Sequence, residues 1–97
     1  MVDYITNLLN FFYLFTDDLI DKNLCKQISK SNINIDYASK SKRGDVSSNF
    51  FLIIRKNILD NSFNLQNILS QKLEQLNYIE KHEISESGFI NIFFKKE

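Results

Sequence analysis

The sequence contains no proline and no tryptophan, two glycines, one cysteine and one histidine. Two glycines leave no material for a glycine-rich loop that cradles phosphates, so a nucleotide-binding loop of that kind is excluded. A lone cysteine excludes an intrachain disulfide and a thiolate metal site. With a single histidine beside it, the usual zinc constellations are excluded too. The free thiol, Cys25, fits a reducing compartment and a place in or beside the core. The lack of proline goes with abundant Asn, Ile, Lys and Phe, the codon bias of an A/T-rich genome, and excludes no function. Charge of one sign is also missing: Lys plus Arg and Asp plus Glu are 12 each, for a net charge of zero. A domain devoted to gripping phosphates carries a basic excess, so any nucleic-acid contact here is one part of a larger surface. Long apolar runs are absent as well. Leu8 to Phe15 is interrupted by Asn10, closed by Asp17-Asp18 and far too short to span a bilayer. It has no basic region before it and no small-residue cleavage site after it, so it does not read as a signal peptide.

What remains is a soluble globular composition, 43% hydrophobic and 25% charged, in 97 residues. That length predicts one domain, residues 1–97, burying roughly 60–65% of its unfolded surface.

Hydrophobic spacing divides the chain. Ile5, Leu8, Leu9 and Phe12 fall at i, i+3, i+4 and i+7, and Phe15, Leu19 and Ile20 continue the stripe. This predicts helix over residues 3 to about 29, as one helix or as two with a break near Thr16. Ser31 to Tyr37 alternates Ile33, Ile35 and Tyr37 against Asn32, Asn34 and Asp36, which predicts a half-buried strand. Ala38 to Gly44 reads as a loop carrying Lys40, Lys42 and Arg43. Such a cluster is ordinarily solvated, and phosphate contact is the sharper reading. Asn49 to Ile54 is continuously apolar, so periodicity cannot separate buried strand from buried helix there. Asp45 or Ser47 would cap a helix, and Arg55-Lys56 would suit its last turn. Asn61 to Asn77 is amphipathic, with Leu65, Ile68, Leu69, Leu73 and Leu76 on one face and Asn61, Ser62 or Asn64 as N-cap. Ile79 to Ser85, a Glu86-Ser87-Gly88 turn and Phe89 to Phe94 predict a closing hairpin. The fold class is α+β: a two-layer sandwich of helix, one or two strands, helices and β-hairpin, with helices covering one face of a small sheet.

No catalytic set is present. His82 lies between Lys81 and Glu83 without a nucleophile and reads as an exposed strand residue. Asp17, Asp18 and Asp21 lack the glycine and spacing of a calcium loop and read as a solvated helix face.

The last strand is more informative. Ile90, Ile92 and Phe94 form a purely apolar face, whereas Phe89, Asn91 and Phe93 form a face of aromatic, amide and aromatic. A buried, unpaired amide costs about 1–3 kcal/mol, so this second face is poorly suited to a core. It suits a nucleobase, on which a ring stacks while an amide meets the base edge. The plainer alternative is two ordinary sheet-face aromatics around an exposed polar residue, and the pattern alone favours it.

Two segments together tip the balance. Arg43-Gly44-Asp45-Val46-Ser47-Ser48-Asn49 precedes Ser87-Gly88-Phe89-Ile90-Asn91-Ile92-Phe93 by about forty residues, with an amphipathic helix between them. Over nearly the whole chain this resembles the N-terminal additional domain of arginyl-tRNA synthetases, a class I family. In that family a Gly-Asp pair opens a helix carrying an Asn, and a Pro-Gly-Phe-Ile-Asn-Phe-type strand closes the domain. The resemblance implies the order helix, two strands, helix, two strands, with helix from Val46 to about Lys56. It implies a non-catalytic unit that contacts the D-loop, at the outer corner of tRNA(Arg), through Phe89 and Asn91. Lys95, Lys96, Lys42 and Arg43 would lie near phosphates. Gly44, Asp45, Asn49 and Gly88 would be structural: turns, a cap and a hydrogen bond at the helix start. ATP and Mg would belong to a catalytic domain that normally follows at once. With its last residue at Glu97, the chain reads as an isolated domain of a longer cytoplasmic ligase, monomeric and without catalytic residues, metal or cofactor of its own. Two departures stand out: Ser87 replaces the usual Pro, leaving the turn less rigid, and Arg43 replaces a common His. The alternative reading is a protein-interaction or structural module without RNA specificity, which the zero net charge and 13% aromatic content also suit.

Overall fold

A computed structural model describes residues 3–37 and 45–95. In chain order they form α1 (Tyr4–Asp21), a 3-10 turn (Lys30–Asn32), β1 (Ile35–Tyr37), β2 (Val46–Ser48), α2 (Phe50–Arg55), α3 (Leu65–Glu74), β3 (Ile79–Ile84) and β4 (Ile90–Phe94). The strands make one antiparallel sheet in the order β1-β2-β4-β3. The α+β sandwich expected from the sequence is therefore present, with the helices on one face.

Asp3 starts α1. Its carboxylate accepts the Thr6 N–H at 3.1 Å and the Thr6 hydroxyl. Leu8, Phe12, Phe15 and Leu19 form the buried stripe. The helix passes Thr16 unbroken, and the buried Thr16 hydroxyl is satisfied by donating to the Phe12 carbonyl at 2.8 Å. It stops at Asp21, eight residues before the end expected at about residue 29. Asn23 turns left-handed, with φ of 60°. Its N–H meets the Ile20 carbonyl at 3.0 Å, and the Leu24 N–H meets the Leu19 carbonyl at 2.9 Å. This pair of bonds closes a helix whose next residue is left-handed, a role that asparagine fills when glycine is absent. Cys25 then pairs with Ile58 in an isolated antiparallel bridge.

Two further expectations shift. The strand expected from Ser31 is confined to Ile35–Tyr37, because Lys30–Asn32 coils into a 3-10 turn. Tyr37 shares the inner side of the sheet with its partner Val46, but at the end of an edge strand it is 81% exposed. The helix expected from Val46 begins only at Phe50, because Val46 and Ser48 are strand residues facing the core, each 1% exposed. Their partners in β4 are Ile92 and Ile90. Neither Asp45 nor Ser47 caps α2. The Ser48 hydroxyl accepts the Phe50 N–H at 3.0 Å. The apolar run that follows is helical, with Phe50, Phe51 and Ile54 buried and Arg55 in the last turn.

Asn64 is the N-cap of α3, accepting the Asn67 N–H at 3.0 Å. Leu65, Leu69 and Leu73 face inward. The layers meet in one hydrophobic cluster, in which the Phe12 and Phe50 rings stack at 4.3 Å.

The hairpin turn at Gly88 is anchored on α2. Gly88 has φ of 98°, and its carbonyl accepts the Leu52 N–H at 3.0 Å. A Cβ there would sit 2.8 Å from Leu52 Cβ and 2.9 Å from Arg55 Nη2. Both the left-handed backbone and the close approach thus require glycine.

Gly88→Ala is expected to lower stability by about 1–3 kcal/mol, read as a lower urea midpoint at unchanged slope. An unchanged midpoint would refute the close packing of the turn on α2. A second expectation concerns acid. The Thr6 hydroxyl, and after it the Thr6 N–H, holds the Asp3 carboxyl below its ordinary value of 3.8. A lowered folded pKa gives stability that is full above the unfolded value and is lost as pH falls through the folded one. Asp3→Asn should therefore flatten the acid limb of melting temperature against pH, and an identical limb would dismiss the charged cap.

Candidate functional site

Alternation along β4 sorts its side chains. Ile90 and Ile92 are fully buried, while Asn91 and Phe93 are half-buried on the opposite, outer face. Phe89, one step before the strand, continues the outer set and is 41% exposed. Among the described residues no helix covers this face. The two rings differ in what they touch. The Lys81 ammonium sits 4.5 Å from the Phe93 ring centroid, so that ring already carries a cation. Phe89 contacts no other ring among the described residues.

Register supplies the neighbours of Asn91. Ser47 is its partner in β2 and Glu83 its partner in β3; Asp36 of β1 pairs in turn with Ser47. Directly paired residues of an antiparallel sheet hold their Cβ atoms about 4.5–5.5 Å apart on one face. Asp36, Ser47, Asn91 and Glu83 thus form one row across the outer face. The Asn91 amide has no hydrogen-bond partner among the described residues, although Ser47 and Glu83 flank it.

The turn that presents Phe89 is held by hydroxyls. Ser85 Oγ lies 2.8 Å from Ser87 Oγ and accepts the Phe89 N–H at 3.2 Å. The Gly88 N–H reaches the Ser85 carbonyl at 3.0 Å. Serine at position 87 therefore supplies a hydrogen bond where a proline would have supplied a fixed φ.

Asp45 and Asn49 act as braces. The Asp45 carboxylate accepts the Phe94 N–H at 2.8 Å across the sheet, rather than capping α2. Asn49 accepts the Asn34 N–H at 2.8 Å and donates to the Asn32 carbonyl at 2.9 Å, tying the approach to β1 onto the start of α2. Lys95 is exposed just past β4, its N–H bonded to the Tyr78 carbonyl at 3.0 Å. Lys40, Lys42, Arg43, Gly44 and Lys96 lie outside the described residues.

Lys81 and Glu83 belong to this face and were not singled out from the sequence. Pairing the hairpin outward from Ser87, the middle residue of the turn, would have set Glu83 opposite Asn91. The same register sets Lys81 opposite Phe93, and the bulge between Ile79 and Lys81 comes only beyond that pair.

Other groups are accounted for elsewhere. His82 is half-buried opposite Ile92, on the inner side of the sheet, and not fully exposed as the sequence suggested. Asp17 pairs with Lys30 at 2.7 Å, and Asp18 with Lys22 at 3.1 Å. Among the described residues no three of His, Cys, Asp and Glu are placed to hold a metal ion, and no helix is long and apolar enough to cross a membrane. Clefts on the helical side include one of about 300 Å³ lined by Phe15, Leu24 and Ile68 and another of about 460 Å³ lined by Phe51, Arg55 and Leu65. Neither reaches Phe89 or Asn91.

A comparison with protein families finds a match to the one described as arginyl tRNA synthetase N terminal domain, over residues 14–94. No curated protein and no solved structure matches the chain.

Cys25 is 3% exposed, and burial pushes its thiol pKa up. Its reaction with a disulfide-exchange reagent at neutral pH should be slower than that of a free thiol by on the order of 100-fold, and complete once urea unfolds the chain. Fast labelling of the native protein would contradict its burial.

Proposed function

The chain belongs to the arginyl-tRNA synthetase N-terminal domain family, and from that premise we propose that its outer sheet face contacts a nucleotide in the D-loop of tRNA(Arg). One observation carries the reading: Phe89 without a ring contact and Asn91 without an amide partner, among the described residues, share the outer face of the sheet. Phe89 stacks on a base, a contact worth about 1–3 kcal/mol. Asn91 donates to and accepts from the base edge. Lys81, held on the Phe93 ring, and Lys95, past the strand end, lie on the same side and suit the flanking phosphates. Lys42, Arg43 and Lys96 are proposed to add to them.

A contact of this size binds weakly by itself. Its effect is to position tRNA for a catalytic body that holds the acceptor arm, because linking two contacts makes the second intramolecular. In this reading the chain is the non-catalytic part of a cytoplasmic arginine–tRNA ligase, and ATP and Mg are handled by the ligase's catalytic domain. The zero net charge fits a face that reads one base rather than a long phosphate track.

The test is a backbone NMR titration of the chain with a D-arm hairpin of tRNA(Arg), against an equal-length hairpin of unrelated loop sequence. Amides of Phe89 and Asn91 should shift with the D-arm alone, and Phe89→Ala should weaken that binding by about 5- to 150-fold. Shifts confined to lysines, or equal for both hairpins, would leave a structural module without RNA specificity.

A further inference from the structure

We propose that Arg55 and the cleft beside it form a second RNA contact, in which the guanidinium takes a backbone phosphate next to the nucleotide on Phe89; the inference rests on the base contact proposed above. The cleft, of about 460 Å³, is within the size range of small-ligand sites. Phe51, Ile58 and Phe63 give it apolar walls, and Asn61 and Gln66 add neutral amides. Among the described residues that line it, Arg55 alone is charged. Apolar walls with neutral amides and one cation at the rim suit a nucleoside carrying a phosphate.

Arg55 is exposed, yet it is held from three sides. Its guanidinium carbon stands 5.3 Å from the Phe51 ring centroid, and its Nη1 donates to the Glu86 carbonyl at 3.5 Å. Its Nη2 lies 2.9 Å from the place a Cβ of Gly88 would occupy. A guanidinium carries five N–H donors in a fixed fork that matches a phosphate bidentately, and the bond to Glu86 is long, so bracing the turn uses little of that capacity. Among the described residues Arg55 makes no ion pair. Residues 38–44 contain no Asp or Glu, and Glu97 follows β4 at the end away from the turn. A cation already held in place loses less side-chain freedom on binding.

The position is what ties Arg55 to the base contact. Gly88 immediately precedes Phe89, and neighbouring Cα atoms are about 3.8 Å apart. An RNA strand that sets one base on Phe89 and continues round the end of the hairpin brings an adjacent phosphate to Arg55 and the next nucleoside to the cleft. On a chain of zero net charge, one fixed cation decides where the backbone passes without adding a general affinity for polyanions.

The experiment titrates the D-arm hairpin of tRNA(Arg) into the full chain and into Arg55→Gln at several salt concentrations, followed by backbone NMR. Plotted as log affinity against log salt, the slope should be shallower in Arg55→Gln by about 0.7, the share of one single-stranded phosphate. At low salt the variant should bind about 3- to 10-fold more weakly. Amides of Phe63 and Gln66 should shift with RNA in the unaltered chain and not in the variant, while those of Phe89 and Asn91 shift in both. Unchanged amide positions away from residue 55 in the free variant show that it folds. Weaker binding at an unchanged slope would reduce Arg55 to a brace of the turn, and equal affinity and slope would remove it from the RNA contact. Still amides at Phe63 and Gln66 in the unaltered chain would take the cleft out of it. Each of these outcomes overturns the inference and leaves the base contact standing. If the Phe89 and Asn91 amides do not shift in the unaltered chain, the base contact fails and this inference with it.

Discussion

The turn at Gly88 lies against the start of α2 more closely than any side chain would allow, and the rest of the sheet is arranged from that contact. The Gly88 carbonyl takes an N–H from the first turn of α2, one of the groups that a helix start leaves without an internal partner. Arg55, from the other end of the same helix, reaches the Glu86 carbonyl at 3.5 Å. A short helix of six residues is marginal by its own hydrogen bonds, so it and the turn stabilise each other. With the turn pinned, the register of β4 has little freedom. A slip by one residue would carry Ile90 and Ile92 out of the core and Asn91 into it.

That register also decides how charge is distributed. The inner face of the sheet holds Val46, Ile90 and Ile92, with Ser48, whose hydroxyl is used at the start of α2, and half-buried His82 as polar groups on that side. The outer face holds Lys81, Glu83, Asp36 and Asn91, both signs together around one neutral amide. The aromatic residues of the outer face are similarly divided. Phe93 supports a lysine, and Phe89 is left open by a turn whose serine hydroxyls hold it in place. A sheet face with a free ring, a free amide and local acceptors is suited to a flat, uncharged, hydrogen-bonding ligand more than to a polyanion.

Much of this was legible in the residues. Period-2 alternation in the last strand identified its two faces, and period-3.6 stripes found α1 and α3, because both patterns come directly from backbone geometry. The glycine turn was legible because few other residues take positive φ. Element ends were less so. The end of α1 depended on Asn23 adopting a left-handed conformation, which asparagine does only in some contexts. Val46–Ser48 was read as the start of a helix because the resemblance placed a helix there. Three residues of strand carry too little pattern to outweigh that until Ile90 and Ile92 are beside them. Asp45 looked like a cap because aspartate caps helices, but its oxygen had a backbone N–H of β4 within reach instead.

The sequence by itself determined the class of fold, the two-faced character of Phe89 to Phe94 and the absence of a metal or disulfide framework built on cysteine. These depend on composition and on spacing along one segment, which survive without knowledge of anything distant. Only the tertiary structure decided which face of the sheet stays uncovered and that Lys81 occupies one ring and not the other. Both depend on how segments distant in the chain pack on one another, and no local pattern encodes such a relation.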